Sequence, residues 1–377
     1  MVEIDTIEPH PDADAIEVAM IQRYRSVVRK SSGFKAGDKV AYIPQSSIVP
    51  EYLMRRLGLW DEERGVGRLG GVNSDRVSAT KFRGLLSQGI CLPLSKWGND
   101  DSVVWVEGEK DLRPARVGDD LAEFLGVKKW SPPIPPELQG EIFNVGQELV
   151  VDFDIEDVKA YPDAMIPGEE VEYTEKLHGV FTGVTVVPLS EAKAAGITEF
   201  GFGPDRNIVI YSKGLGAQGK SFKNSDKNSS SVYMKSTAGL VEKLHSFAVG
   251  IKEPLTILGE TFGPRVQDLH YGKELGFRMF GACSGYRGRH DFFGPDRRAE
   301  IASVVGVEQV PRFYRGPFSW ESLAEHTDGK TALGANHIRE GVVVTPVVQR
   351  SHSRIGRVIV KSVSEKYLLR SGGTEYS

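Results

Sequence analysis

Cysteine is nearly missing from this 377-residue chain, in which Cys91 and Cys283 are the only two. Far apart in sequence and in no metal-ligand spacing, they argue against a disulfide scaffold or a zinc finger. They read as reduced, buried residues of a cytosolic protein. No apolar run approaches the ~20 residues that would span a membrane, so no membrane association is expected. The first residues, MVEIDTIEPHPDAD, lack both a basic start and an apolar core, and no signal peptide is expected. A dominant charge sign is lacking as well: 47 Lys and Arg stand against 51 Asp and Glu, for a net charge of −4. That balance argues against a uniformly basic nucleic-acid coat and leaves local basic surfaces open. No internal repeat is evident, and low complexity is confined to KNSDKNSSS, Lys223 to Ser231.

What is present is the composition of a soluble globular protein, 40% hydrophobic and 26% charged, with length for about two to three domains. From Val2 to about Leu94 short strand-like runs (VEI, AIEVAMI, DKVAYIP, RVSATKF, GICLPL) alternate with Gly, Asp and Pro signals, the texture of a small barrel. The pieces HPDADAIEVA, FKAGDKVAYIPQSSIVP and KFRGLLSQGICLP resemble, in that order, OB-fold RNA-binding modules related to the tRNA-binding domains of synthetases. Such barrels hold strands through basic grooves with aromatic platforms. Candidates here are Arg23, Tyr24, Arg25, Arg29, Lys30, Lys81, Phe82 and Arg83, with core or solvated roles open for each. EYLMRRLGLW, Glu51 to Trp60, has helical periodicity. Residues from about Val103 to Gly126 look like a continuation of the same module, with a helix near LAEFLGV. SPPIPPE, with Pro132, Pro133, Pro135 and Pro136, forbids a regular helix or central strand. The expected division is therefore residues 1–130 as the OB-like module, 131–150 as a proline-rich linker and 151–377 as a second domain.

That second domain carries Thr174-Glu175-Lys176-Leu177-His178-Gly179, a lysine, a carboxylate and an imidazole beside a glycine after a strand-like run. Lysine is a nitrogen nucleophile once deprotonated. Because it ordinarily titrates near ~10.4, a catalytic one needs burial or a neighbouring cation. Gly179 would let the backbone approach a ligand or take a positive φ. Taken alone the hexapeptide also reads as a solvated turn. VFTGVTVVPL and RNIVIYSKG follow as strands. Lys213 to Lys235 holds Lys213, Lys220, Lys223, Lys227 and Lys235 against Asp226 and is expected to be a flexible basic loop, either a solvated insertion or a contact for a polyphosphate or nucleic-acid backbone. A helix is expected from Val232 to about Ile251, with Leu240, Val241, Leu244, Phe247 and Ala248 on one face. Four more strands set Glu260, Phe280, Glu340 and Lys361 at or near their ends, where a carboxylate or lysine is costly to bury unless it is paired or bound to something.

In this order the segments from about Asp154 to Leu368 resemble the covalent nucleotidyltransferases, and specifically the RNA ligases. Lys-x-His-Gly is similar to the nick-sealing branch, where the superfamily otherwise shows Lys-x-Asp-Gly. The OB module on the N-terminal side narrows the resemblance, because DNA ligases and capping enzymes usually carry theirs after the transferase domain. The resemblance implies an α+β protein: an N-terminal OB-like β-barrel, then an antiparallel-sheet, ATP-grasp-like adenylylation domain. It implies ATP and Mg²⁺ or Mn²⁺ as cofactors, RNA strands or nicked duplexes with 3′-hydroxyl and 5′-phosphate ends as partners, and a monomer. Lys176 would attack the α-phosphorus of ATP and carry AMP. His178 would contact phosphate or order the leaving group, Glu175 would help recognise adenine, and Gly179 would lie against the nucleotide. Lys213 would contact the ribose or phosphate, Glu260 would bind the ribose or a metal-bound water, and Phe280 would stack on adenine. Glu340 would bind the metal, directly or through water, and Lys361 would hold the α-phosphate. Two departures stand out. The last motif usually offers two lysines at alternate strand positions and here supplies only Lys361, with Arg357 or Lys366 as substitutes. Val180-Phe181 replaces the Thr or Ser and polar residue that usually follow the motif glycine. A DNA ligase or NAD-using ligase, and an RNA-binding protein with an inactive transferase domain, are the competing readings. The second predicts loss of the nucleophile or the metal carboxylates, yet Lys176, Glu260 and Glu340 are all present.

Overall fold

The computed structural model describes residues 1–96, 104–106, 113–130 and 140–370. The chain divides into two compact units, Met1–Ser131 and Pro132–Ser377.

The first unit is built from small antiparallel sheets. Val2–Glu3, Lys39–Pro44 and Gly89–Pro93 form one, and Thr6–Pro9, Ile16–Ile21 and Tyr24–Arg29 another. Alternation along Tyr24–Arg29 buries Tyr24, Ser26 and Val28 and turns Arg25 and Arg29 outward, as a strand with one buried face requires. Tyr24, 7% exposed, is stacked on Tyr42 at 5.5 Å and is a core residue, which removes it from the strand-binding candidates. The helix at Glu51 is short, ending at Arg56, because the chain turns at Gly58 in the left-handed region and Trp60–Asp61 pairs as a strand with Val66–Gly67. LAEFLGV supplies the helix Ala122–Leu125, closed by Gly126 at φ 67°. Of the expected continuation from Val103, residues 103 and 107–112 lie outside the described residues.

The prolines of the expected linker also lie outside the described residues. Residues 140–150 belong to the second unit: Ile142–Asn144 pairs with Lys220–Phe222, and Val145, Leu149 and Val150 are buried in its main core.

Two five-stranded sheets make up that unit. One has the order Ile208–Tyr211, Val180–Val186, Leu255–Phe262, Gly276–Ser284, Asp291–Phe292. The other runs Glu156–Asp157, Val360–Val363, Gly341–Pro346, Glu170–Lys176, Arg312–Pro317. Among the described strand-to-strand pairings of these sheets only that of Glu156–Asp157 is parallel, and a single parallel bridge joins Met279 to Gln309. All seven residues of Val180–Val186 are buried, the near-continuous burial of a strand covered on both faces. Val180, Val184, Val186, Ile208, Ile210, Ile257 and Leu258 are each at most 1% exposed. At roughly 1.5–3 kcal/mol per such side chain, this layer can carry the cost of charged groups at its edge.

Lys213 to Lys235 is ordered, contrary to the flexible loop expected from its composition. Ser212 caps the short helix Lys213–Ala217, Lys220–Phe222 is a strand, and Ser231 caps the helix Val232–Phe247. The Asn228 side chain donates to the carbonyls of Glu141 (2.7 Å) and Lys223 (2.8 Å), and the buried Ser221 hydroxyl donates to Ile210 O at 2.8 Å. Serine and asparagine here are caps and buried connectors, which their composition alone does not distinguish from loop residues. The long helix buries Leu240 and Leu244 but ends at Phe247, which is exposed, short of Ile251. Both cysteines are free and buried. No helix among the described residues is long and apolar enough to cross a membrane.

Candidate active site

Strand Glu170–Lys176 lies in one sheet and strand Val180–Val186 in the other, so Leu177-His178-Gly179 is the point where the chain crosses between them. Register does the rest. Lys176 pairs with Gly341, which places it beside Glu340, and Val343 pairs with Lys361 one strand further. In the other sheet Phe181 pairs with Glu260.

Gly179 is required by a close approach. A Cβ there would sit 2.2 Å from the Thr261 carbonyl oxygen, while its φ is not in the left-handed region, so the positive-φ alternative does not hold. Its amide donates to Glu260 Oε1 at 3.1 Å, and its carbonyl accepts from Gln267 Nε2 at 3.0 Å.

A cavity of about 270 Å³ opens at this crossing, and Glu175, Lys176, His178, Gly179, Lys213, Glu260, Phe280, Glu340 and Lys361 all line it. One end is charged. Lys176 Nζ is 2.7 Å from Glu340 Oε1, with the two side chains 23% and 12% exposed. Burial opposes the Glu340 carboxylate, but the charge beside it, Lys176 foremost, holds it down at about 2. Glu260 goes the other way: burial, reinforced by Glu340 and only partly countered by Lys176, pushes it up to about 8. The Lys361 ammonium is held below its usual range by burial and by facing Lys176. Lys213 Nζ lies 3.1 Å from Asp154 Oδ1. Glu175 accepts from the Ala332 amide at 2.9 Å, and burial raises its carboxyl despite that bond and Thr331.

The other end is aromatic. Between Leu258 and Gly259 the register with the neighbouring strand shifts, Leu258 pairing with Gly281 and Gly259 with Met279, so Phe280 is the extra residue of a β-bulge. A bulge re-aims the side chain it carries. Phe280 lines the cavity with Phe153 at 5.3 Å and Phe181 at 6.1 Å between ring centroids. Phe181, a departure from the usual motif, thus becomes part of an aromatic wall.

Ile359, just before the strand Val360–Val363, and Lys361 within it both line the cavity, two positions apart. Neither expected substitute reaches it. Arg357 donates from Nε to Gln349 Oε1 at 2.7 Å and lies 4.6 Å over the Phe292 ring, and Lys366 faces Asp328 at 3.8 Å, largely in solvent. Lys361 stands without a second lysine on its strand.

Several cavity residues carry no motif signal: Phe153, Asp154, Gln267 and Tyr367 come from loops or from the chain's last helix. A carboxylate-rich run such as DFDIED gives no hint that one aspartate holds a lysine of a distant segment.

The residues fit a hydrated divalent cation. Glu340 and Glu260 are hard oxygen donors, and a buried carboxyl raised as Glu260 is would be returned to its ionised form by a cation. No group of three or more His, Cys, Asp or Glu among the described residues is arranged as a metal cage.

In the first unit a groove of about 590 Å³ is lined by Arg29, Arg56 and Arg68 with Phe34 and Phe82, and no carboxylate among the described residues lines it. Phe82 is 43% exposed. Of the sequence candidates only Arg29 and Phe82 belong to it, and Arg83 instead donates to the Asp12 carbonyl at 3.1 Å.

Known proteins agree with this architecture. Residues 1–94 match an OB-fold domain model. Among solved structures, a lysine-to-alanine mutant of the Naegleria gruberi RNA ligase with ATP and Mn is 22% identical and superimposes with a TM-score of 0.73 over 97% of each chain. The same ligase with PPi is 22% identical at 0.72, over 97% of this chain and 96% of that one. These likenesses establish the shared fold: an OB-fold domain followed by a ligase-type nucleotidyltransferase fold. No curated protein sequence matches the chain significantly. The RNA ligase model, however, matches residues 169–363, over half of the chain and spanning Lys176 through Lys361, and the chain belongs to the RNA ligase family.

Proposed function

We propose that this ligase uses ATP and a divalent metal to join an RNA 3′-hydroxyl to a 5′-phosphate at nicks in duplexes, in RNA repair, through a lysyl-AMP intermediate on Lys176. The observation that carries the reading is Lys176 held 2.7 Å from Glu340 in a cavity charged at one end and aromatic at the other, which matches the two halves of a nucleotide. In the first step Lys176 Nζ, having lost a proton, attacks the α-phosphorus; the N–P bond forms and pyrophosphate leaves. A 5′-phosphate oxygen then takes AMP from the lysine, and finally the 3′-hydroxyl attacks the activated 5′-phosphorus and releases AMP.

Lys361 stabilises charge on the α-phosphate, Lys213 contacts ribose or phosphate, and His178 serves the leaving-group side. Phe280 stacks on adenine, Glu175 helps recognise it, and Gly179 lies against the nucleotide. Glu340 and Glu260 would hold Mg²⁺ or Mn²⁺, which when bound supplies positive charge for the phosphate oxygens and disfavours the ammonium form of Lys176. The solved Naegleria gruberi complexes with ATP and Mn support this cofactor choice. Residues 1–130 act as the nucleic-acid-binding module, supported by the groove of arginines and phenylalanines, and the transferase follows the proline-rich segment. The enzyme works as an intracellular monomer.

The test is incubation with α-labelled ATP and, separately, labelled GTP or NAD, with Mg²⁺ or Mn²⁺, after stripping with pyrophosphate, followed by denaturing electrophoresis. A label from ATP that survives denaturation, is lost in acid and is absent from Lys176→Ala is expected. A folded Lys176→Ala protein that still takes the label would overturn the assignment.

A further inference from the structure

His178 is 4% exposed and is held by residues from two other segments. Its Nε2 lies 2.7 Å from Asp268 Oδ1 and its Nδ1 2.8 Å from Tyr367 Oη. Its amide donates to Tyr271 Oη at 2.7 Å. Arg370 grips Asp268 from behind through two donors, Nε to Oδ2 at 2.8 Å and Nη2 to Oδ1 at 3.0 Å, and its guanidinium lies 3.7 Å over the Tyr367 ring. The same tail is tied to the other side of the site, because the Ser364 amide donates to the Glu340 carbonyl at 2.8 Å and the Ser364 hydroxyl caps the Tyr367 turn.

An ionised carboxylate can only accept, so at 2.7 Å the hydrogen facing Asp268 belongs to His178 Nε2, and Arg370 Nη2, 3.4 Å from the same nitrogen, donates to Asp268 Oδ1 instead. In the neutral ring this leaves Nδ1 as the acceptor, with the Tyr367 hydroxyl as its donor. Nδ1 is also the nitrogen turned toward the reacting groups, 3.7 Å from Glu340 Oε2. A ring without Asp268 could flip about its Cβ–Cγ bond or exchange tautomers, and the atom presented to Glu340 would change. A second partner that fixes which imidazole nitrogen is protonated is the recurrent way such a ring is held for chemistry.

We propose that Asp268 is a positioning residue of the ligase reaction: it fixes the tautomer and orientation of His178 against Glu340, with Tyr367 and Arg370 completing the clamp. The segment 263–272 and the tail through Arg370 thereby become parts of the active site, although Asp268 and Arg370 do not line the cavity. The proposal rests on the reading of Lys176 as the adenylylated residue.

The experiment is single-turnover adenylylation with labelled ATP for the full chain, comparing Asp268→Ala, Asp268→Asn, His178→Ala and the double variant Asp268→Ala/His178→Ala. Alongside it, ¹⁵N spectra of the histidine ring nitrogens are recorded for the wild type and Asp268→Ala. Asp268→Ala is expected to slow the step by about 10–100-fold with little change in the ATP concentration needed. Asp268→Asn, whose amide oxygen still accepts from Nε2–H, recovers most of the rate. In the His178→Ala background the Asp268 substitution adds less than about twofold, because the two act as one unit. The His178 signals move to a different tautomer balance in Asp268→Ala. A full Asp268→Ala cost persisting without His178, or a wild-type rate in Asp268→Ala, overturns the proposal. If the wild type takes no label, the lysyl-AMP reading falls by itself, and unchanged ring nitrogens in folded Asp268→Ala overturn the positioning role separately.

Discussion

The cavity of the second unit and the groove of the first both gather cations, and they do so in opposite ways. In the cavity Lys176 lies against Glu340, Lys361 is half-buried near both, and Lys213 meets Asp154 at a more exposed edge. The Lys176–Glu340 pair, close together at low exposure, carries a desolvation cost that the surrounding apolar layer sustains. In the groove Arg29, Arg56 and Arg68 line a surface with no carboxylate among the described residues, beside an exposed Phe82. All three are exposed, and Arg68 keeps Asp61 at 3.5 Å; cations held that way meet phosphates at little desolvation cost, and their contribution is screened by salt. The two sets of cations thus differ in how far they are withdrawn from water.

The largest effect expected from breaking this contrast is at Lys176. Lys176→Ala removes the nucleophile, and adenylylation is expected to vanish in the labelling assay while the circular dichroism spectrum stays that of the wild type. Glu340→Ala comes next. It leaves the Lys176 ammonium without its carboxylate and removes a proposed metal ligand, so adenylylation should fall by at least about 10²-fold at any Mg²⁺ concentration. Lys361→Ala, which has no second lysine on its strand to cover for it, should lower the rate of adenylylation by about 10²–10³-fold with the Lys176–Glu340 pair intact. A drop under about tenfold in single-turnover rates would show that Ile359 stands where a lysine is dispensable rather than where one is missing.

These residues were unequally visible before the structure. The strand ends carrying Lys176, Glu260, Glu340 and Lys361 stood out because a charge bounding an apolar strand is costly without a partner, and the structure brings all four to one cavity. The role of Phe280 was open to inference, but not the bulge that aims it, since a register shift depends on the partner strand. The clamp on His178 left no trace: Asp268 and Arg370 are ordinary loop charges in sequence and meet only through the fold, 102 residues apart. Composition misled most at Lys213–Lys235, where serine and asparagine read as loop and serve as caps. In the first unit the strand Tyr24–Arg29 was not among the runs legible in the sequence, and whether its aromatic or its arginines faced outward depended on which face the barrel closed over.

The groove offers a milder test. Arg29→Ala, Arg56→Ala and Arg68→Ala combined should leave adenylylation of the free enzyme unchanged, because none of the three lines the cavity. Binding of a nicked RNA duplex should weaken, and the dependence of log K on log salt should flatten by about 0.7–0.9 for each phosphate that an arginine no longer neutralises. A salt slope equal to that of the wild type would mean that the strand lies elsewhere on the protein, and the contrast between the two cation sites would lose its second half.

The smallest expected effect belongs to Lys366. It was a candidate for the second lysine of the last motif, yet its side chain is 70% exposed and its nearest carboxylate, Asp328, is 3.8 Å away. An exposed pair at that distance is held weakly and is readily exchanged for water. Lys366→Ala should therefore keep single-turnover adenylylation within about twofold of the wild type, while Lys361→Ala does not. A large drop at Lys366 would mean that the helix Glu365–Leu368 swings this lysine into the cavity when nucleotide binds. Because Tyr367 and Arg370 on the same tail clamp His178 and Asp268, such a swing would have to break that clamp, and the ring nitrogens of His178 would report it in the nucleotide-bound enzyme.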